Sequence, residues 1–536
     1  MTSQSIAGVF HNAAVQHSSS AAVVFPEQGA CLTYAQWWSE AERVARGLIG
    51  LGICPGDRVA LQAQNRVEWA VVQMATLLCG AIFVPLNTHL GAEETQYVLE
   101  HSGSRVLFLS NRFRSHDYLQ NLQSVRNRLL DLQHVIVLDG SASDCLDYAG
   151  LDGPDTSFPE PGVQDDAALL YTSGTTGFPK GALLSHGAML HVARQTAQRL
   201  RLTGSDRWTS IIPLFHCAGC IMNLMGSMVA GACYVGVSAF DPVLMFRVIQ
   251  DEKCTALSGV PTSFLAMCDH PERGKYDLGT LRTGTCGGAQ VDPDLLAKCV
   301  AEFPIPELVQ VYGLTETATL AALPWCDDPE RIATAGRALD DAEIRIVNID
   351  SGVELPAGTV GEIVVRGPMV MQGYYNNPGE TSESLSAAGW FKTGDLGYLT
   401  ADGRLCVSAG RLKEMIIRGG ENIYPLEVEK VLMEQSRILQ VAVFGVSDAY
   451  YGEVPAVALV VDNTVEFSEL ESIADRHLAA YKVPRTWYLV KELPMTPSGK
   501  IRKLALKQMA ESGELAPAYC SPKNAKTRRE NHSDAD

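Results

Sequence analysis

Short apolar segments alternate with amphipathic stretches over most of the chain before Ala333, and this alternation constrains the fold more than any other feature. Helices are predicted where apolar residues recur three and four positions apart, as in "EWAVVQMATLLCGA" and "AEETQYVLEHSG". Buried strands are predicted for the short apolar runs "RVALQAQN", "RVLFLSN", "DRWTSIIPL", "GACYVGV", "CTALSGV" and "ELVQVYG". Strands that alternate with helices indicate α/β layers built on parallel sheets.

The pattern changes twice toward the C-terminus. After Ala333, short strands separated by Gly-containing turns predict a smaller, mainly β lobe. After Arg411, a helix, two strands and another helix predict a compact α+β unit. We therefore expect an α/β fold with a large multi-lobed N-terminal domain, made of two α/β sheet layers plus a small β lobe, and a smaller C-terminal α+β domain. The predicted boundaries are 1–412 and 413–520, followed by a polar, disordered tail over 521–536.

Composition excludes some classes of protein. The 536 residues carry a net charge of −18, which argues against broad nucleic-acid binding because that requires basic patches. A small anionic ligand remains compatible, since a few local cations and backbone N–H groups suffice. Fourteen scattered Cys residues and an N-terminus without a basic stretch before an apolar core predict a reduced, cytoplasmic protein without a signal peptide.

The segment from Trp208 to Phe240 contains no Asp, Glu, Lys or Arg and is long enough to span a bilayer. Polar residues and Pro213 interrupt its apolar runs, so we expect a buried segment of the fold rather than a membrane span. His186 and His191, near a predicted helix start, are interpreted as surface or capping residues without a chemical role.

The stretch "YTSGTTGFPKG" (171–181) concentrates groups that bind phosphates. Gly residues let backbone N–H groups turn inward, and hydroxyls and a fixed ammonium add donors. The contributing residues are Thr172, Ser173, Gly174, Thr175, Thr176, Gly177 and Lys180. The spacing differs from the P-loop pattern G-x-x-x-x-G-K-[ST], and no hydroxyl follows Lys180. A flexible surface turn is the alternative interpretation.

These eleven residues resemble the signature loop of the adenylate-forming superfamily, which includes acyl-CoA synthetases, luciferases and the adenylation domains of peptide synthetases. The resemblance extends over about residues 10–510, and the motifs occur in the family's order. It implies that the C-terminal domain is mobile. The segment "GGENIYPLEVE", and the lack of a carrier domain after Lys500, resemble acyl-CoA synthetases rather than peptide-synthetase modules.

A second motif, "VQVYGLTETAT", follows a predicted strand, where α/β sheets bind ligands. Tyr312 offers a ring on which a base can stack, Thr315 offers a hydroxyl to a phosphate, and Glu316 is an oxygen ligand suited to Mg²⁺. A helix start capped by Thr315 is the alternative. The stretch resembles the superfamily's Y-G-x-T-E motif, which implies these roles together with nucleotide contact by Gly313.

Two weaker segments gain meaning only from the resemblance. "TCGGAQ" (285–290) by itself indicates a turn, whereas the family places such a segment against adenine and the acyl pocket. "PLFHCAGC" (213–220) has a C-x-x-C spacing, but a zinc site needs about four ligands and no second pair follows. The resemblance implies adenylate contacts by Gly287, Gly288 and Ala289. The acyl pocket it implies is lined by His216, Gly219, Val260, Thr285 and Gly287.

Three further charged residues match family motifs. Asp395 in "GWFKTGDLG" suits a ribose diol, and Arg411 in "AGRLKEMIIRGGENIYP" suits the same sugar or a phosphate. An Asx-turn and a surface charge are the alternatives. Lys500 in "LPMTPSGKIRK" is by composition a basic surface residue, but it resembles the family's catalytic lysine, which grips the reacting carboxylate and the α-phosphate.

The chemistry implied by the family joins a carboxylate to AMP and then transfers the acyl group to a thiol. Lys500 and a Mg²⁺ on Glu316 would neutralise repulsion between the two anions, while the loop from Thr172 holds the departing pyrophosphate. Because a thiol must then reach the same carbon, the C-terminal domain is expected to rotate about Lys413. That rotation would bring the coenzyme A loop, Gly419, Gly420 and Glu421, to the site.

The predicted function is an ATP-dependent acid–thiol ligase that converts a fatty or other hydrophobic carboxylic acid to its acyl-CoA, using ATP, Mg²⁺ and coenzyme A. Two alternatives stay open: an acyl-AMP ligase that loads a carrier protein, and a non-catalytic nucleotide-binding protein on the same fold. A luciferase-like oxygenase would require light emission. The sequence sets neither the acid nor the oligomeric state, and a homodimer remains open.

Overall fold

The computed structural model describes residues 4–114, 116–172, 179–289, 291, 293–303, 305–411, 414–418, 421–448, 450–462, 464–495 and 501–521. Contacts between Cα atoms divide the chain into two compact units. The first comprises Met1–Arg345, Val364–Thr393 and Leu399–Cys406. The second comprises Ile346–Ile363, Gly394–Tyr398 and Val407–Asp536. The predicted domain boundary at 412/413 stays a prediction, and most of the tail expected to be disordered lies outside the described residues.

The helices of the described chain carry the labels α1 to α14. They are α1 Ile6–Gln16, α2 Tyr34–Gly50, α3 Val67–Leu78, α4 Ala92–Ser102, α5 Tyr118–Val125, α6 His186–Arg199, α7 Gly226–Ala230, α8 Pro242–Asp251, α9 Pro261–Cys268, α10 Pro293–Glu302, α11 Pro378–Ser384, α12 Pro425–Met433, α13 Phe467–His477 and α14 Lys503–Ser512.

The strands carry the labels β1 to β29. Those before Val347 are β1 Ala21–Phe25, β2 Ala30–Thr33, β3 Arg58–Gln62, β4 Ile82–Pro85, β5 Val106–Leu109, β6 Arg112–Phe113, β7 His116–Asp117, β8 His134–Val137, β9 Leu146–Asp147, β10 Asp166–Thr172, β11 Lys180–Ser185, β12 Arg207–Ser210, β13 Cys233–Gly236, β14 Ala256–Gly259, β15 Thr283–Cys286, β16 Glu307–Gln310, β17 Ala322–Leu323, β18 Arg337–Ala338 and β19 Glu343–Val347. The others are β20 Gly361–Arg366, β21 Gly373–Tyr374, β22 Phe391–Leu399, β23 Leu405–Arg411, β24 Ile416–Arg418, β25 Glu421–Ile423, β26 Ile438–Asp448, β27 Gly452–Val461, β28 Thr486–Leu489 and β29 Tyr519–Cys520.

Two large sheets form the first unit. One has the order β16-β15-β14-β12-β13-β1-β2 and is parallel except for β2. The other has the order β21-β11-β10-β4-β3-β5-β8-β9, with β10 and β11 as an antiparallel hairpin beside parallel strands. Most residues of their inner strands are buried, and β5 is buried along its whole length, because helices cover both faces of such sheets. The predicted α/β architecture is confirmed.

Two smaller sheets follow in sequence. One has the order β19-β20-β22-β23, which corresponds to the predicted β lobe. The second unit is built on the order β25-β24-β27-β28-β29, with β26 paired to β27. Its core contains Val443, Val457, Leu459 and Trp487, packed with residues of α12 and α13. The centres of β26 and β27 are apolar and buried on both faces. Alternate residues of these strands lie in this core, and the residues between them pack with Leu506 of α14 on the opposite face.

Local sequence signals set the ends of individual helices. At the start of α2 the Thr33 hydroxyl accepts a hydrogen bond from the Gln36 N–H at 3.2 Å, and the Gln36 side chain accepts one from the Thr33 N–H at 2.9 Å. This reciprocal capping box satisfies two N–H groups that would otherwise lack partners. The buried face of α2 then places Tyr34 and Trp37 in the core.

The segment 208–240 is a buried part of the first unit, and its central residues form a π-helical stretch, Ala218–Met225, that continues into α7. Across the described residues, no helix is both long enough and apolar enough to cross a membrane. His186 begins α6 and is fully buried, so its interpretation as a surface residue is wrong, and it is Ser185 that caps the helix. Burial lowers the pKa of His186 to about 4, although Asp165 opposes the shift.

Candidate active site

Four adjacent parallel strands end at one edge of the first sheet, and each leads into a predicted site segment. β12 leads to His216, β14 to Val260, β15 to Gly287 and β16 to Tyr312. Because the carboxyl ends of parallel strands share an edge, the topology gathers these segments although they are far apart in sequence. This edge is where open α/β sheets bind ligands.

The turn that carries Glu316 is tightly built. A Cβ on Gly313 would lie 2.0 Å from the Thr319 carbonyl oxygen, so only Gly fits there. Thr319 has a φ of 107°, a conformation that costs free energy in residues with side chains. The Glu316 carbonyl accepts a hydrogen bond from the Met371 N–H at 2.8 Å. Strained backbone conformations that neighbouring residues hold in place cluster at functional sites.

Thr315 and Glu316 belong to a short 3-10 turn, Thr315–Thr317, and the residue preceding that turn is Leu314. Thr315 therefore does not cap a helix, which removes the alternative interpretation of the motif. Its hydroxyl oxygen lies 3.8 Å from the Cys217 sulfur, next to His216. Glu316 is largely buried, with 9% of its surface exposed.

The hairpin of β10 and β11 fixes the two ends of the predicted phosphate loop. Thr172 and Lys180 are register partners, and the Thr172 hydroxyl donates a hydrogen bond to the Lys180 carbonyl at 3.4 Å. At the second end, the Pro179 carbonyl accepts a hydrogen bond from the Tyr97 hydroxyl at 3.1 Å. The predicted phosphate-binding residues Ser173, Gly174, Thr175, Thr176 and Gly177 lie outside the described residues.

Lys180 and Glu316 are connected by side chains that sequence analysis did not single out. The Tyr374 hydroxyl donates a hydrogen bond to Glu316 Oε1 at 2.8 Å, and the Lys180 ammonium lies 5.3 Å from the centroid of the Tyr374 ring. Glu380 forms an ion pair with Lys180. Burial and the Glu316 carboxylate raise the pKa of Tyr374, so its hydroxyl stays protonated and donates. The segment "GYYNNPGETSES" contains these residues, but only the pairing of β21 with β11 brings them to the hairpin.

The predicted acyl-pocket residues lie at the same sheet edge. The rings of Phe215 and His216 are 4.8 Å apart between centroids. A Cβ on Gly219 would meet the Pro213 carbonyl oxygen at 2.2 Å, so the chain is closely packed there. Thr285 is 1% exposed, and its hydroxyl forms a 2.6 Å hydrogen bond with that of Ser258 inside the sheet. Val260, by contrast, is half-buried just before α9.

The segment Gly287–Ala289 after β15 passes from a buried to an exposed position. Gly287 is buried, and a Cβ there would lie 2.4 Å from a methyl group of Val311. Gly288 has a φ of +79°, and both it and Ala289 are exposed. The backbone therefore presents an open, side-chain-poor surface at this point, which suits a flat ligand lying against it.

The two thiols of the C-x-x-C pair have low reactivity. Burial raises the pKa of both the Cys217 and the Cys220 thiols, so both stay protonated near neutral pH. A protonated thiol is a poor metal ligand and a poor nucleophile. Among the described residues, no group of three or more His, Cys, Asp or Glu side chains is arranged to hold a metal ion.

The remaining predicted site residues belong to the second unit. Asp395 lies on β22 with 8% of its surface exposed, beside Gly394, whose N–H donates to the Glu362 carboxylate at 3.2 Å. Arg411 is the last residue of β23, and Glu421 the first of β25. The proposed hinge Lys413, the coenzyme A loop residues Gly419 and Gly420, and the catalytic candidate Lys500 lie outside the described residues.

A largely buried ion-pair cluster lies close in sequence to Lys413 and Lys500. The Lys503 ammonium is 2.8 Å from a Glu429 carboxylate oxygen and 3.3 Å from a Glu414 carboxylate oxygen. Burial disfavours the charged form of Lys503, but the two carboxylates more than offset that effect and raise its pKa. The cluster holds the start of α14 against α12 and the residue that follows Lys413 in the chain.

Comparison with known proteins gives consistent matches over the chain. The family model described as AMP-binding enzyme matches residues 10–375, and the model described as AMP-binding enzyme C-terminal domain matches residues 427–500. The chain is 34% identical over 530 residues to the acyl-CoA ligase sidI of Aspergillus fumigatus, which covers 93% of this chain and 90% of that protein. It is 37% identical over 479 residues to a feruloyl-CoA synthase of Amycolatopsis sp, which covers 89% of this chain and 93% of that protein.

A solved structure matches equally broadly. The crystal structure of ATP-bound MatB from Rhodopseudomonas palustris superposes with a TM-score of 0.85 at 28% identity, covering 94% of this chain and 99% of that one.

Proposed function

The chain belongs to the AMP-binding enzyme family, and on that premise we propose that it is an AMP-forming acyl-CoA synthetase acting on a hydrophobic carboxylic acid. ATP is its nucleotide substrate, and coenzyme A is the proposed acyl acceptor. The similarity to an acyl-CoA ligase and a feruloyl-CoA synthase supports the reaction class. The similarity to an ATP-bound structure supports ATP as the nucleotide.

One observation of this chain carries the proposal. The ends of the predicted phosphate loop, Thr172 and Lys180, lie beside the turn that bears Glu316, and Tyr374 connects the two. A cation, a hydroxyl and a buried carboxylate are thus gathered near the carboxyl edge of a parallel sheet. A polyphosphate with its divalent ion needs this combination of donors and an oxygen ligand.

The proposed reaction has two steps at one carbon. A carboxylate oxygen of the acid attacks the α-phosphorus of ATP, the bond to the β-phosphate breaks, and pyrophosphate leaves. The thiol of coenzyme A then attacks the carbonyl carbon of the acyl-AMP, its proton is lost, and AMP departs. In the first step Thr172 and Lys180 hold the β- and γ-phosphates, so catalysis is mainly positioning and charge neutralisation.

Glu316 is the proposed Mg²⁺ ligand. Its carboxylate fits the role because Tyr374 orients Oε1 with a hydrogen bond and the surrounding turn fixes the backbone. When bound, Mg²⁺ would neutralise phosphate charge. Tyr312, Gly313 and the Gly287–Ala289 segment are proposed to contact adenine, and Thr315 a phosphate.

The second unit is proposed to supply the ribose contacts and the remaining cation. We assign Asp395 and Arg411 to the ribose and Lys500 to the carboxylate and α-phosphate. Rotation about Lys413 would bring the coenzyme A loop to the site for the second step. These assignments rest on the sequence motifs.

The acid is proposed to bind along the segments that follow β12 and β14. His216 and Val260 offer an aromatic and an aliphatic surface, and Gly219 keeps the chain closely packed. Charged side chains are missing from residues 208–240, the segment that contains the proposed pocket residues His216 and Gly219. An aliphatic or aryl group therefore fits better than a second carboxylate or an amine.

The test offers a panel of aliphatic and aryl acids with ATP and Mg²⁺, and measures pyrophosphate, AMP and acyl-CoA with and without coenzyme A. The proposal expects acid-dependent pyrophosphate exchange without the thiol, and AMP with acyl-CoA in equal amounts when it is present. Exchange without any acyl-CoA would instead indicate a carrier-protein acceptor. ATP binding without exchange for any acid would indicate a nucleotide sensor and overturn the proposal.

Lys180→Met and the exposed Lys275→Met form a matched pair for that assay. Lys275 is two-thirds exposed at the surface, with 67% of its side chain accessible. Loss of exchange in the first variant and retention in the second would tie the activity to the predicted phosphate loop.

A further inference from the structure

Lys180, the predicted phosphate-binding lysine, already has an anionic partner in the protein. Its ammonium forms an ion pair with the Glu380 carboxylate, and the two side chains are 15% and 30% exposed. The ammonium also lies over the Tyr374 ring, 5.3 Å from its centroid. The cation is therefore partly desolvated and neutralised before any phosphate arrives.

Hydrogen bonds around the start of α11 fix the position of Glu380. It lies in the first turn of α11, and its N–H donates to the Asn377 side chain at 3.2 Å. The start of α11 is tied to β21 by a 2.9 Å hydrogen bond from the Tyr374 N–H to the Thr381 hydroxyl. The next residue, Tyr375, donates its N–H to the Gly181 carbonyl at 2.8 Å. Lys180 on β11 and Glu380 on α11 are thus both fixed relative to β21, which pairs with β11.

We propose that Glu380 is an internal counter-anion that exchanges with the polyphosphate on Lys180, so that it weakens the binding of ATP and pyrophosphate and speeds pyrophosphate release. The inference rests on the proposed function of the loop. A positioning role is the opposing account: Glu380 would hold the ammonium in place, and its charge would favour phosphate binding.

The charges favour exchange. A triphosphate and the Glu380 carboxylate are both anions, so bringing them to the same ammonium costs repulsion, which is strong at a half-buried site. When the bond between the α- and β-phosphates breaks, the carboxylate can return to Lys180 as pyrophosphate leaves. A lysine without such a partner would hold both ATP and pyrophosphate more tightly.

The test compares Glu380→Gln with Glu383→Gln, since Glu383 is an exposed carboxylate on the same helix. Binding of magnesium pyrophosphate and of magnesium ATP is measured by calorimetry on the full chain without acid, so that no turnover is needed. We expect Glu380→Gln to lower both dissociation constants about threefold to tenfold, and Glu383→Gln to leave them within about twofold.

Two further variants separate charge from shape. Glu380→Asp keeps the charge and is expected to bind pyrophosphate much as the wild type does. In a Lys180→Gln background, Glu380→Gln should have lost its effect, because the competition acts on the ammonium. Equal or weaker binding by Glu380→Gln than by the wild type would overturn the inference. If the wild type binds neither ATP nor pyrophosphate, the proposed function itself fails.

Discussion

Ser258 is the centre of a buried hydrogen-bond cluster below the carboxyl edge of the first sheet, and its removal gives the sharpest stability prediction. Its hydroxyl oxygen accepts hydrogen bonds from Trp208 Nε1 at 2.9 Å and Asn223 Nδ2 at 2.9 Å. A hydroxyl has two acceptor positions and one proton, so Ser258 must donate to the Thr285 oxygen at 2.6 Å. The group is therefore fully used.

Ser258→Ala would leave two buried N–H groups, those of Trp208 and Asn223, without their acceptor. Each unsatisfied donor costs about 1–3 kcal/mol, so we expect a loss of about 2–6 kcal/mol in the free energy of unfolding. Ser227→Ala is the matched control, because the Ser227 hydroxyl is equally buried but has no hydrogen-bond partner among the described residues. Ser227→Ala removes a hydroxyl that is already unsatisfied, so we expect no loss in the free energy of unfolding.

Urea unfolding followed by tryptophan fluorescence measures both variants, with the midpoint shift multiplied by the transition slope. Asn223 lies in the π-helical stretch and Thr285 on β15, so Ser258→Ala is also expected to raise KM for the acid. Equal destabilisation by Ser258→Ala and Ser227→Ala would refute the argument that the hydrogen bonds of the Ser258 hydroxyl stabilise the fold.

Three other perturbations follow from the same structure. Lys503→Met should cost about 3–5 kcal/mol in urea unfolding, because it leaves the buried Glu429 carboxylate and the partly exposed Glu414 carboxylate without their cation. Lys507→Met, which breaks a more exposed pair on the same helix, should cost about 1 kcal/mol or less, and similar losses in the two variants would contradict this. Gly313→Ala should abolish acid-dependent exchange while Gly274→Ala, where a Cβ meets nothing within 4 Å, should retain it; an active Gly313→Ala enzyme would disprove the packing argument. Because the pKa of His186 is lowered to about 4, the unfolded chain binds a proton between pH 6.5 and 4 that the folded chain does not. The free energy of unfolding should therefore fall by up to about 3 kcal/mol as pH drops through that window, and His186→Asn should flatten the slope measured by denaturation at several pH values.

Sequence periodicity was sufficient for the layers of the fold. Runs such as "RVLFLSN" are apolar throughout because helices cover both faces of the strand, and β5 is buried along its length. The position of the candidate site was predictable for the same reason, since motifs that follow parallel strands must meet at one edge. This logic places Tyr312 and Gly287 together without knowledge of any side-chain contact.

Contacts between residues that are distant in the chain could not be predicted from the sequence. The ion pair of Lys180 with Glu380 depends on the pairing of β21 with β11, which no local pattern indicates. The π-helical stretch Ala218–Met225 was also missed, because a periodicity of 3.6 residues does not distinguish i→i+5 hydrogen bonds. The burial of His186 depends on the tertiary packing of α6, whereas its sequence neighbours suggest only a helix start.

The central claim is that an organic acid is activated by attack of its carboxylate oxygen on the α-phosphorus of ATP. Turnover of a carboxyl-¹⁸O-labelled acid with ATP, Mg²⁺ and coenzyme A, followed by mass spectrometry of the nucleotide product, tests it directly. If an acyl-AMP forms, one labelled oxygen passes from the acid to each AMP. AMP that carries no label while acyl-CoA accumulates would contradict the account.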